Sequence, residues 1–247
     1  MQWILLRGLG RESAHWHDFP QRLQAALPRY HRVVPIDLPG TGRHYLERSP
    51  DSIPAIREWL QRHYWHLPRP LGLIGLSMGG MVALDWAQHA PTGEIQRLVM
   101  INTSSRLSPP WQRMKPGQWP RLARLLTMRD VDAREKAILQ LSSNKPVDPQ
   151  TLQRWYSIQR HRPVSRLNAW RQLTAASRYR PAKHRPLPDG LLLASEADRL
   201  VSWRCSRVLE EAWQWPLNLH PSAGHDLALD DPAWVIDQIR RFASVEG

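Results

Sequence analysis

The fold of this chain is decided by ten consecutive residues, Leu71-Gly72-Leu73-Ile74-Gly75-Leu76-Ser77-Met78-Gly79-Gly80. An apolar run of strand length ends in the pattern G-x-S-x-G, and a stretch with helical character follows over residues 81–89. Strand, sharp turn and helix in this order are typical of a nucleophile elbow. A serine on so tight a turn has strained backbone geometry, and the flanking glycines leave room for the strand and helix to approach closely. The pattern predicts that the Ser77 hydroxyl is presented at a strand end, beside a helix N-terminus that favours developing negative charge.

The five-residue pattern also occurs by chance, so its meaning depends on partners further along the chain. A serine hydroxyl is a poor nucleophile until a base removes its proton, and that base needs a third group to orient it. The candidate base is His225, in a Ser-Ala-Gly-His-Asp loop after the last predicted strand. The candidate orienting acid is Asp198, which follows the strand before it, with Glu196 as the alternative. The order Ser, Asp, His is the one that accompanies this type of elbow.

Short apolar segments alternate with helical segments over most of the chain. The pattern predicts strands at 2–6, 31–37, 71–76, 96–101, 191–194 and 216–220, and helices at 12–27, 52–63, 81–89 and 233–242. Such alternation indicates an α/β protein with a mostly parallel sheet of about six strands and helices on both faces. Sites in such sheets lie beyond the carboxyl ends of the strands, so we expect Arg7-Gly8-Leu9, Ser77 and Asp198 to meet there.

The alternation stops between residues 102 and 188, where helical patterns occur near 119–128, 133–141, 149–159 and 164–176. We therefore expect an α/β core, 1–104 and 190–247, with a helical cap or lid inserted over 105–189. Residues 106–185 hold 18 Lys and Arg against 4 Asp and Glu, whereas the whole chain has a net charge of +12. An excess of positive charge that is confined to one segment suggests an anionic partner for the cap.

Composition excludes several classes of protein. The single cysteine, Cys205, allows no intramolecular disulfide, and no His, Asp or Glu cluster has metal-ligand spacing. The Gly40-Thr41-Gly42 sequence fits a tight turn better than a dinucleotide site, because the third glycine of that fingerprint is missing. We expect neither a metal nor a cofactor. The N-terminal residues resemble a strand rather than a signal peptide, and no apolar run is long enough to cross a bilayer, so a cytoplasmic location is expected.

The sequence resembles the α/β-hydrolase superfamily, in its compact capped branch. The resemblance covers about 1–104 and 191–247 and is carried by the elbow, the turn at 37–42, the acid loop around Asp198 and the Ala223-Gly224-His225 loop. It implies a catalytic triad of Ser77, His225 and Asp198, with an oxyanion hole from the backbone amides of Leu9 and Met78. Members of the superfamily usually have His-Gly where this chain has Arg7-Gly8, so the hydrogen bonding of that loop is in question.

The resemblance implies a serine hydrolase that cleaves carboxylic esters through an acyl-enzyme. An apolar acyl group would lie under the cap, and we expect Gly8, Leu9, Trp111 and Trp155 to line its pocket. The basic cap would dock an acyl carrier protein or a lipid surface, as the placement of elbow and cap is similar to that of carrier-protein methyl esterases of biotin synthesis. No nucleic acid is expected as a partner, and the oligomeric state is left open.

Two other functions are compatible with the same residues. A carbon–carbon hydrolase or a lyase, similar to those of menaquinone synthesis, would use the same triad while basic side chains bind substrate carboxylates. A nucleic-acid or membrane-binding protein with a vestigial triad would use the Arg and Trp side chains of the cap instead.

Overall fold

The computed structural model describes residues 1–244, and its centre is a sheet of six parallel strands. The strands are β1 Gln2–Leu6, β2 Arg32–Ile36, β3 Leu71–Leu76, β4 Ile95–Ile101, β5 Gly190–Ser195 and β6 Leu217–His220. They pair in the order β2-β1-β3-β4-β5-β6. The predicted α/β class and the parallel sheet are confirmed, with each strand within one or two residues of its expected bounds.

Helices connect the strands and cover the sheet. They are α1 Phe19–Ala26, α2 Ile53–His63, α3 Met78–His89, α4 Pro110–Arg113, α5 Trp119–Thr127, α6 Val131–Ser142, α7 Pro149–His161, α8 Arg166–Arg178, α9 Arg204–Trp213, α10 Leu227–Asp230 and α11 Pro232–Ser244. Ser52 caps α2, because its hydroxyl oxygen accepts a hydrogen bond from the Ala55 amide at 3.4 Å.

Alternate residues of the strands feed two separate apolar layers. In β1, Ile4 and Leu6 pack into a layer completed by α2, α3 and α9, while Trp3 and Leu5 pack into a layer completed by α1 and α11. This is the two-residue period of a strand buried on both faces. The sheet is therefore covered by helices on both faces, and polar side chains that could form a site lie at the strand ends.

The strand order places a crevice beside Ser77. The chain passes from β1 outwards to β2 and then returns to β3 on the other side of β1, from which it continues to β4. The loops that follow β1 and β3 therefore leave the sheet in different directions at neighbouring strand ends. Ligands bind at such a switch point in open parallel sheets.

The residues between β4 and β5, which we call the helical insertion (102–189), contain α4 to α8. Helices α5, α6, α7 and α8 coincide with the four helical patterns in the sequence, and the short helix α4 was not expected. The division of the chain into a core and a cap at 105–189 stays a prediction.

The single helix expected over residues 12–27 is wrong. The segment forms a 3₁₀ helix, Ser13–Trp16, then breaks at His17 with a φ of 51° before α1 begins at Phe19. Pro20 explains the break, because a proline inside a continuous helix lacks the amide hydrogen and collides with the carbonyl four residues earlier. Helix α9 was also missed, and the C-terminal helix is longer at both ends than expected.

Candidate active site

Ser77 lies on the sharp turn between β3 and α3, as the sequence predicted. Its φ of 57° and ψ of −119° lie in a region that non-glycine residues rarely adopt. A Cβ on Gly75 would overlap the backbone of Gly79 and Gly80, and a Cβ on Gly79 would overlap the carbonyls of Leu6 and Arg7. The turn can therefore close only because both positions are glycine.

His225 and Asp198 form a buried hydrogen bond. The Nδ1 atom of His225 lies 2.7 Å from Oδ2 of Asp198, and the two residues are 8% and 1% exposed. The other carboxylate oxygen accepts hydrogen bonds from the amides of Leu200 at 2.7 Å and Val201 at 3.1 Å, which fixes the plane of the carboxylate. Glu196, the alternative acid, is exposed to solvent. The geometry thus favours Asp198 as the partner of the histidine.

The charge environment of His225 suits a base that holds its proton for part of a reaction. Burial lowers the pKa of the imidazole, but the charge and hydrogen bond of Asp198 raise it, and the net direction is upwards. With its Nδ1 atom committed to Asp198, the ring leaves Nε2 as the atom available for proton transfer.

Asn102, at the end of β4, joins the histidine loop to the serine turn. The Ser77 amide donates to the Ile101 carbonyl at 2.8 Å, and the side-chain amide of the next residue, Asn102, donates to the carbonyl of His225 at 2.8 Å. The Asn102 side-chain oxygen also accepts from the amide of Ser195 at 2.9 Å. This residue was missed in the sequence, where a polar side chain directly after a buried strand was the available signal.

The loop after β1 passes beside Ser77. A Cβ on Gly8 would lie 3.2 Å from Cβ of Ser77. Two hydrogen bonds hold the loop. The Gly10 amide donates to Oε1 of Gln172 at 2.8 Å, and the Arg11 amide donates to the Gly8 carbonyl at 3.2 Å. Within the described residues these bonds leave the Leu9 amide unused. Two free donors next to the serine are what an oxyanion hole requires, and the Met78 amide, first in α3, has no acceptor inside its helix.

Comparison with known proteins identifies the family of this chain. A sequence profile of the alpha/beta hydrolase family matches residues 3–238. This chain belongs to the α/β-hydrolase family.

Among curated relatives, this α/β-hydrolase is similar to enzymes named pimeloyl-[acyl-carrier protein] methyl ester esterase. The one from Aeromonas salmonicida is 31% identical over 121 residues, which cover 49% of the chain and 42% of the relative. The one from Methylococcus capsulatus is 29% identical over 134 residues, 52% of the chain and 45% of the relative. The chain thus spans less than half the length of these relatives, so the likeness is partial.

Solved structures with the same fold cover nearly the whole chain. A bacterial membrane phospholipase A aligns with a TM-score of 0.77 at 23% identity, over 98% of this chain and 77% of its own. An esterase from Exiguobacterium antarcticum aligns with a TM-score of 0.74 at 16% identity, over 98% and 91%. At such identities the likeness concerns the fold.

The four residues expected to line the pocket have different surroundings. Gly8 lies against Ser77 and Leu9 follows it in the chain, while Trp111 on α4 is 61% exposed. Trp155 is 1% exposed, and its indole donates a hydrogen bond to Nε2 of His17 at 3.1 Å. A pocket role for these residues stays a prediction.

Two other polar side chains hold the loops around the site. The Nδ1 atom of His220 accepts hydrogen bonds from the amides of Ser222 and Ala223, so this histidine has a structural role. Asp230 accepts from the Gly224 amide at 2.6 Å and the Asn144 amide at 2.9 Å. It therefore ties the histidine loop to the helical insertion.

Three further findings concern metal binding, membrane insertion and cysteine reactivity. Residues 1–244 contain no group of three or more His, Cys, Asp or Glu side chains that could hold a metal ion. In the same residues, every helix is too short or too polar to span a bilayer. Cys205 is buried, which raises the pKa of its thiol to about 11 and makes it a poor nucleophile at neutral pH.

Proposed function

We propose that this α/β-hydrolase is a serine hydrolase that cleaves carboxylic esters through an acyl-enzyme intermediate. The observation that carries the proposal is the buried His225–Asp198 hydrogen bond at the strand ends where the strained Ser77 turn emerges. A pair of this kind activates a serine hydroxyl and has no evident purpose in packing alone.

In the proposed reaction, Nε2 of His225 takes the proton from the Ser77 hydroxyl as its oxygen attacks the ester carbonyl. Asp198 stabilises the imidazolium that forms. The oxyanion accepts hydrogen bonds from the Leu9 and Met78 amides, each worth roughly 3–4 kcal/mol in comparable sites. Collapse of this intermediate releases the alcohol, which receives the proton from His225. Water activated by the same histidine then hydrolyses the acyl-enzyme and restores Ser77.

The substrate that we favour is an acyl ester carried on an acidic partner protein. Two observations support this choice: the relatives act, by name, on an ester attached to an acyl carrier protein, and the helical insertion holds a net charge of +14 over residues 106–185. A basic surface would steer an acidic carrier towards the site.

The first test is turnover of short p-nitrophenyl esters and of a methyl ester on a carrier protein. We expect Ser77→Ala to lower kcat/KM by at least about 10³-fold, whereas Ser177→Ala, on the exposed face of α8, changes it less than about twofold.

Other results would favour the other functions. If the protein cleaved a carbon–carbon bond in a substrate but turned over none of the esters, a carbon–carbon hydrolase or lyase would be favoured. Absence of any Ser77-dependent turnover, combined with salt-sensitive binding of polyanions, would indicate a binding protein with a vestigial triad.

A further inference from the structure

Arg7 and Asp226 form a buried ion pair that the proposed chemistry does not use. Nη1 of Arg7 lies 3.2 Å from Oδ1 of Asp226, and Nη2 lies 2.5 Å from Oδ2. The two side chains are 3% and 4% exposed. Two parallel bonds between a planar guanidinium and a carboxylate fix both the distance and the angle between the elements that carry them.

The pair connects the two loops whose relative position matters for the proposed reaction. Arg7 directly follows β1 and precedes Leu9 by two residues, and Asp226 directly follows His225. The partners are 219 residues apart in sequence, and β3, β4 and β5 lie between their strands in the sheet. Three strands therefore separate the two loops in the sheet, and the ion pair joins them directly.

Both ends of the pair are themselves held. The guanidinium of Arg7 lies 4.7 Å from the centre of the Trp16 ring, on the 3₁₀ helix after the loop. The Asp226 amide donates to the carbonyl of Ser142 in the helical insertion at 2.8 Å. The carbonyl of the neighbouring His225 is fixed by Asn102. A change in the ion pair would thus move the loops rather than be absorbed by loose side chains.

We propose that Arg7 and Asp226 are positioning residues that set the distance between the oxyanion donor at Leu9 and the base at His225. The proposal rests on the proposed function. Burying two charges costs desolvation that apolar residues would avoid, so the pair is better explained by the directional geometry it enforces than by stability.

The charges around His225 make its pKa sensitive to the ion pair, and this sensitivity can be measured. Asp198, on the loop after β5, and Asp226 both raise the pKa of His225, whereas Arg7 lowers it. Asp226 in turn faces Arg7, His225 and Arg11, and its own pKa is lowered because Arg7 outweighs the effect of burial. Removing the carboxylate charge of Asp226 leaves the Arg7 cation unbalanced, and the pKa of His225 should fall.

Two variants separate geometry from charge. Asp226→Asn keeps the shape and removes the charge, so we expect kcat for an ester to fall about tenfold to a hundredfold and the acid limb of the kcat/KM profile to move down by about one pH unit. Arg7→Lys keeps the charge and loses the two-point geometry, so kcat should fall similarly while the acid limb stays in place. Asp237→Asn, which alters a surface ion pair on α11, is the control and should change neither quantity.

A second readout does not depend on turnover. In the Ser77→Ala protein, an NMR titration of the His225 ring should show the same downward shift when Asp226→Asn is added, and no shift with Arg7→Lys. If the wild-type protein shows no Ser77-dependent turnover, the proposed function fails, and the NMR titration still tests the coupling of the ion pair to His225. Folded variants with unchanged kcat and an unchanged His225 titration would overturn the positioning role.

Discussion

At the scale of single residues, the structure supports most clearly the role of Asp198 as the acid that orients His225. Its carboxylate has one oxygen on the His225 ring and the other on two backbone amides, so it is oriented for one task. Asp198→Asn would lose the charge that stabilises the imidazolium, and we expect kcat/KM to fall by about 10³ to 10⁴. Glu196→Gln, at the exposed alternative acid, is the matched control and should leave kcat/KM unchanged. A larger loss with the control would reassign the acid.

Glu12 provides a prediction on stability. It is 1% exposed, and burial raises its pKa to about 7 even though the neighbouring Arg162 lowers it. The unfolded chain ionises this carboxyl near pH 4.5, whereas the folded protein keeps it protonated to higher pH. Its contribution to stability is therefore fully present below pH 4.5 and is lost as the pH rises to about 7.

The measurement is chemical denaturation of the wild type and Glu12→Gln from pH 4 to pH 8. Relative to the variant, the wild-type free energy of unfolding should decrease by up to about 3 kcal/mol over this range. A difference between the two proteins that is constant with pH would show that Glu12 has the same pKa in the folded and unfolded states, which would contradict the effect of burial.

At the scale of secondary-structure elements, the close contact between β3 and α3 depends on Gly75. A Cβ at that position would overlap the backbone of α3, which cannot move without disturbing the sheet. Gly75→Ala should therefore lower the free energy of unfolding by about 3 kcal/mol and abolish the proposed esterase activity with it. Gly117→Ala is the control, because a Cβ there meets no atom within 4 Å. Equal stability of the two variants would contradict the observed packing.

The helical insertion is anchored to the loop after β1 by a second buried ion pair. Arg11 bonds to Glu135 on α6, and its guanidinium lies 4.5 Å from the centre of the Trp155 ring on α7. Glu135→Gln leaves a buried cation without its partner and should cost about 3 kcal/mol of stability. Asp132→Asn breaks a surface ion pair between α6 and Arg160 on α7, and should cost under about 1 kcal/mol. Thermal and denaturant unfolding of both variants measure the difference.

The elements that could be predicted from the sequence are those with local signals. The elbow, the strands and the α2 cap each follow from residues within one turn or one strand, and Ser77, Asp198 and His225 could be chosen because motif order restricts them. The break at His17 was missed because the spacing of apolar residues predicted one continuous helix over 12–27, and Pro20 was not taken into account. The Arg7–Asp226 pair and the partners of Asn102 could not be predicted, because these contacts join loops far apart in the chain.

At the scale of the whole molecule, charge is divided between two parts. Residues 106–185 carry 18 Lys and Arg against 4 Asp and Glu, and the rest of the chain is close to neutral. If the helical insertion steers an acidic carrier, kcat/KM for a carrier-bound ester should fall several-fold between about 0.05 M and 0.5 M salt, because screening weakens long-range attraction. A small neutral ester should show no such dependence.

Charge reversal offers the matching variant. Arg121 and Arg124 are exposed on α5, and replacing both with Glu should reduce kcat/KM for the carrier-bound ester while leaving the small ester unaffected. Loss of activity on both substrates would mean that the insertion shapes the active site rather than docking a partner.

The most direct test of the proposed chemistry is covalent labelling by a fluorophosphonate followed by peptide mass spectrometry. A serine activated by His225 should take up one equivalent of the reagent, on the peptide that contains Ser77, and labelling should disappear in Ser77→Ala and become much slower in His225→Gln. Uptake at another residue, or a wild-type protein that is not labelled at all, would contradict the assignment of Ser77 as the nucleophile.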